Sequence, residues 1–251
     1  MINNYNNQVT MSSVKVMRAI GMLLQIIEQQ DWATFQSVAL SNPAYFLAIT
    51  GAIENCPQYN GMTLLHAVAR CNPPSEIVAE MLKICPDLSA AKDCLGRTPL
   101  HVAAGSAAAP RVIKLIAHAN PTSCNAKDED GKTPLHFACD ITCELFEGDI
   151  PIKQVPRKVC HDTIRALLSE SIHASTLEDL DEMNSVEYAI MSDAQLKTVK
   201  MLQWASSRSF ESIQPSKEPL PSSPKQMSTA PLRVSFKHDE IMLEGSRVPY
   251  V

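Results

Sequence analysis

The sequence predicts an all-α solenoid: pairs of short helices stacked side by side, joined by β-hairpin loops and followed by a disordered C-terminal tail. Three observations predict it. Thr98-Pro99-Leu100-His101 and Thr133-Pro134-Leu135-His136 lie 35 residues apart, and Thr63-Leu64-Leu65-His66 stands another 35 residues upstream. Self-similarity at a fixed period of this size marks a chain of stacked units. A glycine precedes each copy by two residues, at Gly61, Gly96 and Gly131, where a tight hairpin calls for positive φ. Hydrophobic residues make up 45% of the chain but aromatic ones only 5%, which suits closely packed alanine- and leucine-rich helices.

Taken in order, residues 1–12 are rich in Asn and Ser and are expected to be disordered. Val16, Ile20, Leu23, Leu24 and Ile27 recur at helical spacing, so a helix runs to about Gln30. Its lack of acidic residues faintly resembles a transit peptide, but an ordinary amphipathic helix describes it better. Asp31 is placed to cap a second helix with Trp32, Phe35, Val38 and Ala39 on one face. Asn42-Pro43 breaks the pattern before a helix over 44–54. Residues 13–56 thus form an N-terminal cap, since a terminal unit meets water on one side and is expected to be atypical.

Repeats follow over about 57–92, 93–127 and 128–180. Thr98 suits an N-cap and Pro99 the first helical position, where a missing N–H costs nothing. Leu100, Ala103 and Ala104 then face a neighbouring repeat. The outer helices are expected over 75–84, between Pro73-Pro74 and Pro86, and over 111–119 after Pro110. The third repeat carries an insertion over 141–157, apolar at Phe146 and Ile150, before a helix over 158–169. Residues 181–207 form a degenerate C-terminal repeat that has lost the Gly, Pro and His. From 208 to 251 the prolines at 215, 219, 221, 224 and 231, with Ser, Lys and Gln, predict a disordered tail interrupted by a short apolar island.

The Thr-Pro-Leu-His copies and the hairpin glycines resemble those of the ankyrin repeat family. The resemblance is strong over residues 57–140, although the period of 35 departs from the commonest 33. It implies that His66, His101 and His136 are structural struts, hydrogen-bonded to backbone between adjacent repeats. It further implies a non-catalytic scaffold or adaptor that binds proteins through hairpin tips and inner helices. Carried onto this chain, the tips are Tyr59, Asn60 and Met62, then Cys94, Leu95 and Arg97, then Glu129, Asp130 and Lys132. The ends of the inner helices add Arg70, Cys71, Ser106, Asp140 and Ile141. Tyr59, Met62 and Leu95 either offer apolar contact to a partner or tuck between neighbouring hairpins.

No phosphate-cradling loop, nucleophile elbow or kinase signature is present, so no catalytic residue, cofactor or metal is expected. The alternative is a metal- or cysteine-dependent enzyme built on the third repeat, with His136, Cys139 and Cys143, and its insertion. A net charge of −5 gives no electrostatic support for nucleic acid. No apolar run reaches the length of a membrane span. Eight cysteines without a Cys-x-x-Cys pair or secretory signal place the chain in a reducing compartment, cytoplasmic or nuclear.

In the tail, Arg233-Val234-Ser235-Phe236 resembles the basic–Val–x–Phe motif by which regulatory subunits dock type-1 protein phosphatase. There an extended peptide adds to a sheet edge while its Val and Phe fill pockets. The docking residues would be Arg233, Val234 and Phe236. Phosphorylation of Ser235 would put negative charge between the apolar anchors and oppose docking. Ser223, within Pro221-Ser222-Ser223-Pro224, is the second candidate phosphorylation position.

Overall fold

A computed structural model of the protein describes residues 13–143 and 158–213. Its first helix, α1 (Ser13–Glu28), is followed by Gln30, which turns the chain at φ 56°. Asp31 accepts the Thr34 N–H at the start of α2 (Trp32–Phe35), which runs on as a π-helical turn over Gln36–Leu40. Asn42 accepts the Tyr45 N–H at the start of α3 (Pro43–Glu54). Asp31, the cap expected from sequence, and Asn42, expected only as a break, therefore each supply the acceptor that an open helix start requires.

Among the described residues, four helix pairs follow. The inner helices are α4 (Leu64–Arg70), α6 (Pro99–Gly105), α8 (Pro134–Cys139) and α10 (Ser185–Met191). The outer ones are α5 (Ser75–Ile84), α7 (Pro110–Ala119), α9 (His161–Glu170) and α11 (Leu196–Ile213). Inner helices contact inner helices and outer contact outer down the series, while α1 packs on α4 and α3 on α5. One continuous core results, from Ile20 and Phe35 through Leu64, Leu100, Ile113 and Leu135 to Leu202. Each fully buried aliphatic side chain contributes about 1.5–3 kcal/mol against exposure. This is the predicted all-α solenoid.

The hairpins hold the spacing. Asp93, Asp128 and Asp179 each accept two backbone N–H groups on Oδ1, from the residues two and four positions on. Successive hairpins also bond to each other. The Cys94 N–H donates to the Asn60 carbonyl at 2.7 Å, Glu129 to Leu95 at 3.0 Å and Leu180 to Asp130 at 3.0 Å. They stack so closely that a Cβ on Gly131, which sits at φ 77°, would lie 2.9 Å from the Leu180 nitrogen.

The structure sets the register of the last repeat. Its hairpin starts at Asp179, two residues before the expected 181, and α11 continues past 207 to Ile213. Asn184 and Glu187 replace the Thr/His pair. Asn184 accepts the Val186 and Glu187 N–H groups, and the Glu187 carboxylate accepts the Asn184 N–H at 2.8 Å. The outer helix of the third repeat begins at His161, three residues after the expected start. Glu182 occupies the hairpin position of Gly61, Gly96 and Gly131 and is held at φ 59°. A side chain there is strained. Glu182→Gly is expected to raise stability by about 0.5–1 kcal/mol, the relieved strain less the added entropy of the unfolded chain; an unchanged midpoint in urea would count against that assignment.

Candidate functional site

The motif histidines come first, because they bear on whether the third repeat could hold a metal. The Thr63 N–H donates to His66 Nδ1 at 3.1 Å, and the ring's Nε2 lies 3.0 Å from the Arg97 carbonyl of the next repeat. An amide N–H can only donate and a carbonyl can only accept. Nδ1 is therefore the acceptor and Nε2–H the donor, which fixes the neutral tautomer. His101 repeats this between Thr98 N–H and the Lys132 carbonyl. His136 repeats it between Thr133 N–H and the Met183 carbonyl. Burial lowers all three from the usual histidine value, His66 to about 4 and His101 to about 3. These rings are struts between repeats, and no nitrogen is left to hold a metal.

Cys139 is buried in the core, and burial pushes its thiol well above the usual cysteine range. Cys143 donates to Asp140 Oδ2 at 3.1 Å. Among the described residues no cluster of three metal-binding side chains forms, and no helix is long and apolar enough to cross a membrane.

What the fold does build is a cavity of about 340 Å³. Its walls are the hairpins over 93–97 and 128–132, the inner helix α8 and the turn over 140–143. Six residues expected from sequence line it: Leu95, Arg97, Glu129, Asp130, Lys132 and Asp140. Asp128, Phe137, Thr142 and Cys143 complete it. Phe137 stands one place after the strut histidine and could have been found from that position; Cys143 drew notice in sequence only as a candidate metal ligand, and Thr142 carried no signal.

Two of the expected contact residues are corrected by their burial. Arg97 is 5% exposed, and its guanidinium bonds Asp93 Oδ2 at 2.8 Å from both Nε and Nη2. Asp140 is 3% exposed and accepts from Lys132 Nζ, the Thr142 hydroxyl and its backbone N–H. Burial works to raise the Asp140 carboxyl, but these donors outweigh it and hold the group below the usual carboxylate range. Both side chains are structural because each has a buried charge to neutralise, and a buried charge is tolerated only when paired. Lys132 is partly withdrawn as well: its ammonium lies 4.7 Å from the centre of the Tyr188 ring, besides its pairing with Asp140.

Glu129 and Asp130 are exposed at the mouth of the cavity, and Leu95 is half-buried in its wall. Tyr59, Asn60 and Met62 lie on the first hairpin, Asn60 exposed and the other two half-buried. Cys94 is exposed one hairpin further on. Arg70 and Cys71 are half-buried at the end of α4, and Ile141 is exposed after α8. The Ser106 hydroxyl is buried without a hydrogen-bond partner among the described residues. None of these eight lines the cavity. Arg233, Val234, Phe236, Ser223 and Ser235, like Phe146 and Ile150 of the insertion, lie outside the described residues.

Comparison with curated proteins gives no match. The family described as ankyrin repeats (many copies) matches residues 89–138, the stretch that carries two hairpins, helices α6 and α7 and most of α8. Repeats of this kind form protein–protein interaction domains and are generally non-catalytic. Residues 89–138 are thus ankyrin repeats, and the hairpin ladder continues on both sides of the match, with a further strut histidine, His66, before it.

Proposed function

We propose that this protein is a non-catalytic adaptor of the cytosol or nucleus. Its repeats hold a client protein, and its tail recruits a type-1 protein phosphatase. The observation that carries the client half is the cavity between the second and third hairpins. It is roomy enough for a protruding side chain, and its mouth bears exposed carboxylates. A cavity of this size and mixed lining suits a few well-placed contacts. The internal ion pairs already neutralise Arg97, Lys132 and Asp140. What remains for a partner is Glu129, Asp130 and the apolar edge of Leu95, which together favour a cationic side chain on an apolar stem.

The phosphatase half is supported by the order of residues in Arg233-Val234-Ser235-Phe236 alone. Scaffold and recruiter would be joined in one chain, so a client held by the repeats would meet the enzyme at raised effective concentration. The eight cysteines are all free thiols, which supports the reducing compartment.

One pull-down from lysate, read by mass spectrometry, tests both halves. Val234→Ala with Phe236→Ala is expected to lose a type-1 phosphatase catalytic subunit and keep the client. Glu129→Lys with Asp130→Lys is expected to lose the client and keep the phosphatase. Identical protein lists from wild type and both variants would sink the proposal.

A further inference from the structure

The C-terminal end of the stack is not built like a cap. Register with the internal repeats shows this. Ala69 in α4, Ala104 in α6 and Cys139 in α8 share one register position and are buried. In α10 that position is Ile190, 57% exposed, and Met191 beside it is 73% exposed. On α11, Val199 stands where α7 and α9 bury Ile113 and Ile164, and it is only half-buried. Phe210 lies on the same side, three helical turns on, and is exposed. A terminal repeat that ends a solenoid is expected to turn a polar face outward. This one presents an apolar ridge.

The backbone tells the same story. The hairpin ladder advances through the carbonyls of Asn60, Leu95 and Asp130, each accepting an N–H from the next hairpin. The next carbonyl in that series belongs to Asp181, and it accepts no hydrogen bond among the described residues. Among the described residues, the face is thus the repeat–repeat interface continued with no further repeat upon it.

Charge decides what fits it. The hairpin edge of the face carries exposed Asp181 and Glu182, and the outer-helix edge carries exposed Lys200. The apolar ridge lies between them. A surface acidic along one edge and basic along the other is complementary to itself when turned by a two-fold rotation. The acidic edge of one copy then meets the basic edge of the other, and ridge packs on ridge. We propose that the protein forms a two-fold symmetric homodimer through this C-terminal face. Closed two-fold pairing is also the commonest way for a chain to bury such a patch.

The test uses the full chain in sedimentation equilibrium. Wild type is expected at twice the 27.6 kDa of one chain. Ile190→Glu with Met191→Glu should give a monomer with an unchanged helical circular dichroism spectrum, since both side chains are exposed. Lys200→Glu, and separately Asp181→Lys with Glu182→Lys, should each weaken self-association about tenfold or more. Mixing these two charge-reversed chains should restore the dimer, because each then meets its opposite at both edges. A wild type that stays monomeric up to its solubility, a dimer untouched by the Ile190/Met191 change, an assembly larger than two, or no recovery on mixing would overturn the proposal. The mixing arm does not depend on how the glutamate variant folds.

Discussion

Between pH 6.5 and pH 5 the fold is expected to lose on the order of 3–4 kcal/mol of stability, from His66 and His101 together. Each ring is fixed neutral between an amide donor and a carbonyl acceptor. Protonating Nδ1 would break the bond from the N-cap amide and place an N–H against an N–H. Burial lowers the two from 6.5 to about 4 and about 3. Unfolded chains therefore take up protons below pH 6.5 that the folded chain refuses, and stability falls as the pH falls. The loss starts at the unfolded value and continues until the pH reaches the folded ones; above pH 6.5 there is none. His136, also lowered by burial, adds to it in the same direction. Urea midpoints at pH 7, 6 and 5 measure the effect, with His101→Gln expected to flatten part of the slope. A constant midpoint over that range would show that the rings accept protons in the fold, contrary to their hydrogen bonding.

Arg97→Ala is expected to cost about 3–5 kcal/mol, because it strands the buried Asp93 carboxylate without its cation. The two side chains are 6% and 3% exposed and 2.8 Å apart. Asp93 Oδ1 would still accept the Leu95 and Arg97 amides, while Oδ2 would lose its donors. Adding Asp93→Asn removes the charge and should recover about half of the loss. Glu129→Lys, one hairpin along and exposed, should change stability by less than about 0.5 kcal/mol. Thermal melts of the three variants distinguish the roles. Equal, small effects from Arg97→Ala and Glu129→Lys would mean that Arg97 is a surface residue after all.

The contrast between those two residues explains how far the sequence could be read. Position along the motif places Arg97 and Glu129 alike on hairpin tips. What separates them is a partner four residues away: Asp93 reaches back to Arg97 and draws it inward. Asp140 is placed alike at the end of an inner helix, and only the fold shows Lys132 and Thr142 closing on it. The last repeat was partly legible for a related reason. Its Gly, Pro and His are gone, but an aspartate five residues before the helix cap persists, at Asp93, Asp128 and Asp179 before Thr98, Thr133 and Asn184. That spacing marks the hairpin, because the carboxylate is what the turn's amides require.

By itself, then, the sequence determined the repeat: its helices, caps, hairpin glycines and strut histidines. These depend on contacts within a few residues or on a fixed step to the next copy, and a periodic chain writes both plainly. The tertiary structure alone decided which tip residues remain free, where a cavity opens between hairpins, and that the final repeat shows Ile190 and Met191 to solvent. Those outcomes depend on what stands beside each residue across the stack. Whether a neighbour is there, or is missing, is not carried by the residue itself.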